Sequence, residues 1–98
     1  MPVVFVYGTL RRGEVSHHLL RGARFVDTTR TAPCFTLYQI DWYPALVARG
    51  QTSVVGELYV VDEALLARLD EYEGCPESYA RPLIPLVCSR AAEGYVMP

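Results

Sequence analysis

The stretch SVVGELYVVDEALLARLDEYEG, Ser53–Gly74, decides the fold. Its first nine residues, Ser53 to Val61, are dense in β-branched and aromatic side chains and read as the strongest strand of the chain. Gly56 inside that run marks a bulge or a close approach of another backbone. The period then changes. Leu65, Leu66 and Leu69 recur at helical spacing. Asp62 is placed as an N-cap, Glu63 sits at the positive end of the helix dipole, and Gly74 with Pro76 supplies the stop. A strong strand running directly into an amphipathic helix points to a helix laid on a sheet.

The flanking sequence fits the same class. Pro2 to Val6 is continuously apolar, as in a strand buried on both faces. Glu14 to Leu20 reads as a short helix ended by Gly22. Phe25 to Thr31 and Cys34 to Ile40 read as strands around a proline turn, Asp41 to Pro44 as a turn, and Ala45 to Ala48 as a brief strand. Tyr79 to Val87 is strand-like, but Pro82 and Pro85 confine it to an edge or to bulged positions. Ala92 to Val96 closes the chain as a strand. The expectation is a single α+β domain over residues 1–98, with a small mixed β-barrel or strongly curved sheet flanked by two short helices.

Composition narrows the function. A chain of 98 residues with 51% hydrophobic and 20% charged residues folds as one domain. Net charge is -2 and all nine basic residues are arginine, so a Schiff-base lysine and a phosphate-loop lysine are absent. A nucleic-acid binder would carry a basic face, and none is visible. Cys34, Cys75 and Cys88 are too widely spaced for a zinc or redox motif, and reduced thiols are expected. No signal peptide and no apolar run of about 20 residues is seen, so a cytoplasmic chain without membrane attachment is expected. His17 and His18 point about 100° apart on a helix and read as a surface pair rather than a metal site. Ser16, Ser53, Ser78 and Ser89 lack a GxSxG context, which removes a serine triad.

The helix contains one acid that faces the apolar side. With Leu65 at zero on a wheel of about 100° per residue, Leu69 falls near 40°, Leu66 near 100°, Tyr72 near 340° and Glu73 near 80°. Glu71 points away near 240° and Asp70 sits at the edge near 140°, on the same approximate count. Burial among leucines and the negative pole of the last turn both raise the pKa of Glu73, as a general base requires. Fraying of the helix end into solvent, or an ion pair to Arg81, would account for the position equally. Glu57 and Tyr79 are further candidates for the same site.

The opening run FVYGTLRRG, Phe5–Gly13, ends an apolar strand in Tyr7-Gly8-Thr9-Leu10. A strand that bends at a glycine can converge several backbone N–H groups into an anion-binding concavity. Thr9 adds a hydroxyl, and Arg11 or Arg12 could add charge at the rim. A plain structural turn would have the same sequence.

FVYGTLRRG, WYPALV, VVGELYVV and LARLDEYEG followed by YAR occur in this order across nearly the whole chain. Together they resemble the gamma-glutamylcyclotransferase family, most closely its gamma-glutamylamine cyclotransferase branch. The resemblance implies a small β-barrel with a cavity at one edge and a cofactor-independent reaction. It implies Glu73 as the catalytic acid/base, and Tyr7, Gly8, Thr9 and Leu10 as the loop that binds a γ-glutamyl group through backbone N–H groups. Tyr79 and Tyr43 would line the same cavity. The implied reaction closes the substrate's α-amine onto its own γ-carbonyl, giving 5-oxoproline and a free amine. The expected partner is therefore a small γ-glutamyl molecule, acted on by a monomer or homodimer. A non-catalytic module binding a small carboxylate on the same fold is the competing reading.

Overall fold

The computed structural model describes residues 2–14, 16–40, 43–75, 78–87 and 90–97, and for Ile40, Tyr43 and Pro44 the backbone alone. Five strands and then a helix, followed by two short strands, build the domain around β5 (Val55–Val60) and β1 (Val3–Val6). These two pair antiparallel, Val4 opposite Tyr59 and Phe5 opposite Leu58. β2 (Arg24–Arg30) pairs antiparallel with the other edge of β5, while β7 (Ala91–Gly94) lies parallel to β1 and antiparallel to β6 (Leu83–Pro85). The sheet order is β2-β5-β1-β7-β6. β3 (Phe35–Ile40) and β4 (Tyr43–Thr52) form a separate antiparallel pair.

Both faces of the sheet centre are covered, which explains why β1 is apolar without alternation. Val4 and Val6 point into one core with Tyr59, Val61, Leu65, Leu66 and Leu69. Phe5 points into the opposite core with Phe35, Leu46, Leu58 and Ile84. α1 (Glu63–Glu73) thus lies on one face, and side chains of β3 and β4 pack on the other. Gly56 is the close-approach site anticipated for β5. A Cβ there would overlap the Phe5 ring and the Val6 carbonyl. The irregularity in register falls instead on β2, between Phe25 and Asp27.

α1 forms where its signals place it. Asp62 Oδ1 accepts the Leu65 N–H at 2.7 Å, closing the N-terminus. Gly74 adopts φ 69°, a left-handed position open to glycine at low cost, and donates to the carbonyls of Asp70 and Glu71. The helix therefore holds its shape through Glu73, and fraying at that residue is not observed.

Several expectations are corrected. The described strands form an open sheet and a two-stranded pair rather than a closed barrel, and they include one α-helix, not two. The segment expected as a second helix contains only a 3-10 turn at His17–Leu20, because too few residues separate Gly13 from Gly22 for a stable α-helix. β4 is ten residues long, so Tyr43 and Pro44 begin a strand; Asp41 and Trp42 lie outside the described residues. Proline at a strand's first positions is tolerated, since no ladder N–H is required there. His17 is half-buried, its ring 5.8 Å from that of Tyr59 and its Nδ1 2.9 Å from the Leu10 carbonyl, so it is no surface residue. Cys34 is exposed and Cys75 half-buried, neither in a disulfide, and Cys88 lies outside the described residues. No described helix is long and apolar enough to cross a membrane.

Candidate active site

A cavity of about 330 Å³ opens where the C-terminal end of β1 meets the C-terminal end of α1. Phe5 and Val6 of β1 and Tyr7 just after it form one wall, and Thr9 and Leu10 continue it. Tyr72 and Glu73 close it from the helix, while Ser78, Tyr79 and Tyr95 complete the lining. The volume suits a small molecule.

The YGTL segment folds as a single 3-10 turn at Gly8–Leu10. Gly8 has φ 66°, so the strand reverses direction at a residue without Cβ strain. The first N–H consumed by the turn is that of Arg11, which donates to the Gly8 carbonyl at 3.3 Å. The amides of Gly8, Thr9 and Leu10 precede it and are not used by the turn itself. Leu10 is buried in the core below α1 and fixes the turn from beneath.

Glu73 is the one carboxylate on the cavity lining among the described residues. Burial pushes its carboxyl from 4.5 up to about 7. The expected competitor for it, Arg81, is committed elsewhere. Its guanidinium lies 3.3 Å from Asp70 Oδ1 and 3.8 Å from Glu93 Oε1, as charge pairs rather than aligned hydrogen bonds. Asp70 also accepts the Tyr95 hydroxyl at 2.7 Å. The three acids of LDEYEG thus divide by position on the helix: Asp70 is paired, Glu71 is exposed, and Glu73 faces the cavity.

Tyr7 lines the cavity with its ring, but its hydroxyl is already engaged. It donates to the Tyr95 carbonyl at 2.6 Å and accepts the Leu46 N–H at 3.1 Å, joining β1, β4 and the segment after β7. Burial raises its pKa, with the Leu46 N–H acting in the opposite direction. Tyr79 is 8% exposed and belongs to the core as well as the cavity. The Tyr43 side chain lies outside what the structure describes.

Three expected contributors are placed elsewhere. Glu57 accepts from the Arg12 backbone N–H at 2.9 Å and from the Tyr59 hydroxyl at 3.0 Å, away from the cavity lining. Arg12 stacks over Phe25, 4.1 Å from the ring centroid, and Arg11 Nε folds back to the Gly8 carbonyl at 3.3 Å. Neither arginine lines the cavity, so the RRG segment braces the turn instead of charging its rim. Tyr95, Tyr72 and Ser78 were not legible as cavity residues. Tyr95 sits at 2% exposure, its pKa raised first by burial and then by its hydrogen bond to Asp70. Its place in an apolar closing strand looked like that of any core aromatic. The helical wheel places Tyr72 on the apolar stripe, yet it is 45% exposed and lines the cavity.

The family model described as gamma-glutamyl cyclotransferase, AIG2-like, matches residues 4–98. The chain belongs to that family. This gamma-glutamyl cyclotransferase-family chain is 46% identical over 82 residues to a Vibrio cholerae protein whose name provisionally assigns it as a gamma-glutamylcyclotransferase. The match covers 84% of this chain and 70% of that relative. It is 39% identical over 94 residues to the human gamma-glutamylaminecyclotransferase, covering 86% of this chain and 61% of that one. The cyclotransferase-family chain thus spans less than two thirds of the human relative's length. The crystal structure of an AIG2-like protein from Mus musculus superimposes with a TM-score of 0.87 at 30% identity, over 99% of this chain and 77% of that one. That neighbour shares the α+β architecture with its curled sheet.

Proposed function

We propose that this chain catalyses the cyclisation of a small γ-glutamyl amine, or a related γ-glutamyl compound, to 5-oxoproline and a free amine. The observation that carries the reading is the single cavity carboxylate, Glu73, raised by burial to about 7 and set in one cavity with the YGTL turn. The names of the family's relatives supply the γ-glutamyl chemistry.

The substrate's α-amine is mostly ammonium in solution, with a pKa near ~8. Transfer of its proton to an ordinary carboxylate near ~4.3 would be uphill by roughly 5 kcal/mol. An acceptor at about 7 reduces that to about 1.4 kcal/mol. Glu73 takes the proton and frees the amine lone pair. The amine nitrogen then attacks the γ-carbonyl carbon, closing a five-membered lactam and forming a tetrahedral oxyanion. As the bond to the leaving nitrogen breaks, Glu73 returns the proton to it. The ring nitrogen, left cationic by the attack, passes its second proton through the same carboxylate to the freed amine. A neutral lactam and an ammonium leave, and Glu73 ends as the carboxylate. No water enters the balance. The attack is unimolecular, so the cavity's main task is to hold the substrate in its cyclising conformer. The N–H groups of Gly8, Thr9 and Leu10, with the Thr9 hydroxyl, hold the substrate carboxylate or the oxyanion. Tyr79 flanks the γ-glutamyl chain.

The test is a panel of γ-glutamyl amines and γ-glutamyl dipeptides, with 5-oxoproline release followed by chromatography. Release from at least one, abolished in Glu73→Gln, is expected. Binding by calorimetry with no release from any compound would instead make the domain a non-catalytic carboxylate-binding module.

A further inference from the structure

Ser16 stands outside the cavity lining and outside the chemistry above, yet it is 6% exposed, and while its carbonyl accepts the Leu19 N–H, its N–H and its Oγ meet the site's two halves. Its N–H donates to the Thr9 carbonyl at 2.9 Å, gripping the YGTL turn. Its Oγ lies 2.8 Å from the hydroxyl of Tyr72, the residue before Glu73. One serine therefore joins the turn to the last turn of α1. The flanking contact of His17 Nδ1 to the Leu10 carbonyl, at 2.9 Å, holds the same segment against the other side of the turn.

The remaining anchors of these elements are independent of this bond. α1 is fixed by Leu65, Leu66 and Leu69 and by both caps, and the turn is fixed by buried Leu10. Loss of one hydroxyl bond at a half-exposed tyrosine leaves those anchors in place. What it releases is the spacing between the turn and Glu73, and the closure over the cavity. We propose that Ser16 and Tyr72 form a positioning latch, which sets the spacing of the 8–10 turn from Glu73 and limits water access to that carboxyl. Neither residue need touch the reacting atoms.

The latch acts on catalysis only if the proposed cyclisation is correct, so its test has two readouts. The first is kinetic, on Ser16→Ala, Tyr72→Phe and the double variant. Each single variant is expected to lose roughly 10- to 100-fold in kcat with a smaller change in KM. The double variant is expected to be no worse than the poorer single one, because both remove the same bond. Ser16→Thr keeps a hydroxyl at the position and should recover most of the rate. The second readout needs no turnover: titration of the Glu73 carboxyl by carbon NMR on glutamate-labelled protein. Tyr7 after β1, Tyr79 after the helix and Tyr95 after β7 line the cavity with that carboxyl, and Asp70 is paired with Arg81. With burial as the cause of its high pKa, admitted water should move Glu73 downward in both single variants. Additive rate losses in the double variant, or an unmoved Glu73 titration in well-folded single variants, would overturn the latch. If no γ-glutamyl compound is turned over, the cyclisation fails while the titration still decides the latch.

Discussion

Replacing Glu73 with glutamine separates what the carboxylate does for chemistry from what its burial costs the fold. Glutamine keeps the shape and removes the charge. Burial moves the folded-state carboxyl from 4.5 to about 7. At about 1.36 kcal/mol per pH unit, the ionised form is disfavoured in the fold by at most about 3 kcal/mol. Glu73 is only half-buried, and solvent screening lowers the expected figure to about 1–2 kcal/mol. Between the unfolded value and about 7 the folded chain binds more protons than the unfolded chain. Stability contributed by Glu73 is therefore fully present below that window and is lost as pH rises through about 7. The glutamine variant has no such loss. It should match the wild type near pH 4.5 and exceed it by about 1–2 kcal/mol near pH 8, roughly 5–10 °C in Tm for a domain of this size. Urea or thermal unfolding at the two pH values, paired with 5-oxoproline release, measures both effects. Greater stability with turnover lost is the expected pair. A variant no more stable than wild type at pH 8 would refute the burial argument, and a variant cyclising at the wild-type rate would refute the base.

Three further outcomes follow from individual contacts. Wild-type kcat/KM should rise with pH through an acid limb near 7, since Glu73 must be ionised to accept the amine proton; a limb near 4 in the pH profile would show an unperturbed acid. Tyr7→Phe removes the hydroxyl that serves both the Tyr95 carbonyl and the Leu46 N–H, and leaves buried partners unmet. It should cost about 1–3 kcal/mol in urea unfolding, and a variant as stable as wild type would show that the hydroxyl does not hold these segments together. Glu71→Gln, on the exposed face of α1, should leave turnover and stability within error of wild type; a large loss of 5-oxoproline release would make Glu71, not Glu73, the base.

The site was legible in part because its two halves are local. Helical periodicity over Leu65, Leu66 and Leu69 fixes which face is apolar, and because the Gly74 cap holds the helix through Glu73 and Arg81 pairs with Asp70, that face carries Glu73 inward and leaves Glu71 outward. The glycine after Tyr7 marks the strand reversal, and Gly8 does take a left-handed φ. What was not legible depended on partners remote in sequence. Glu57 sits in the strongest strand, but alternation could not say which neighbour it meets, and that neighbour is Arg12, 45 positions away. Tyr95 and Tyr7 meet across a separation of 88 residues, so neither sequence neighbourhood signals the bond. The choice between a barrel and a strongly curved sheet stayed open in the sequence for a related reason, since closure depends on strand order rather than on strand content.

The sequence by itself determined the elements whose cause is local: the capped helix, the doubly buried strand at β1, the glycine reversal and the inward acid. It also carried the family, because the motifs that define it occur in order along the chain. Only the tertiary structure decided which acid Arg81 pairs with, that the RRG arginines brace the turn, and that Ser16 and Tyr72 meet beside the cavity. Backbone periodicity fixes which side of an element a residue faces within a few residues of chain. Which side chain waits opposite is set by packing between distant segments, and that information becomes specific only when the cores on both faces of the sheet have closed.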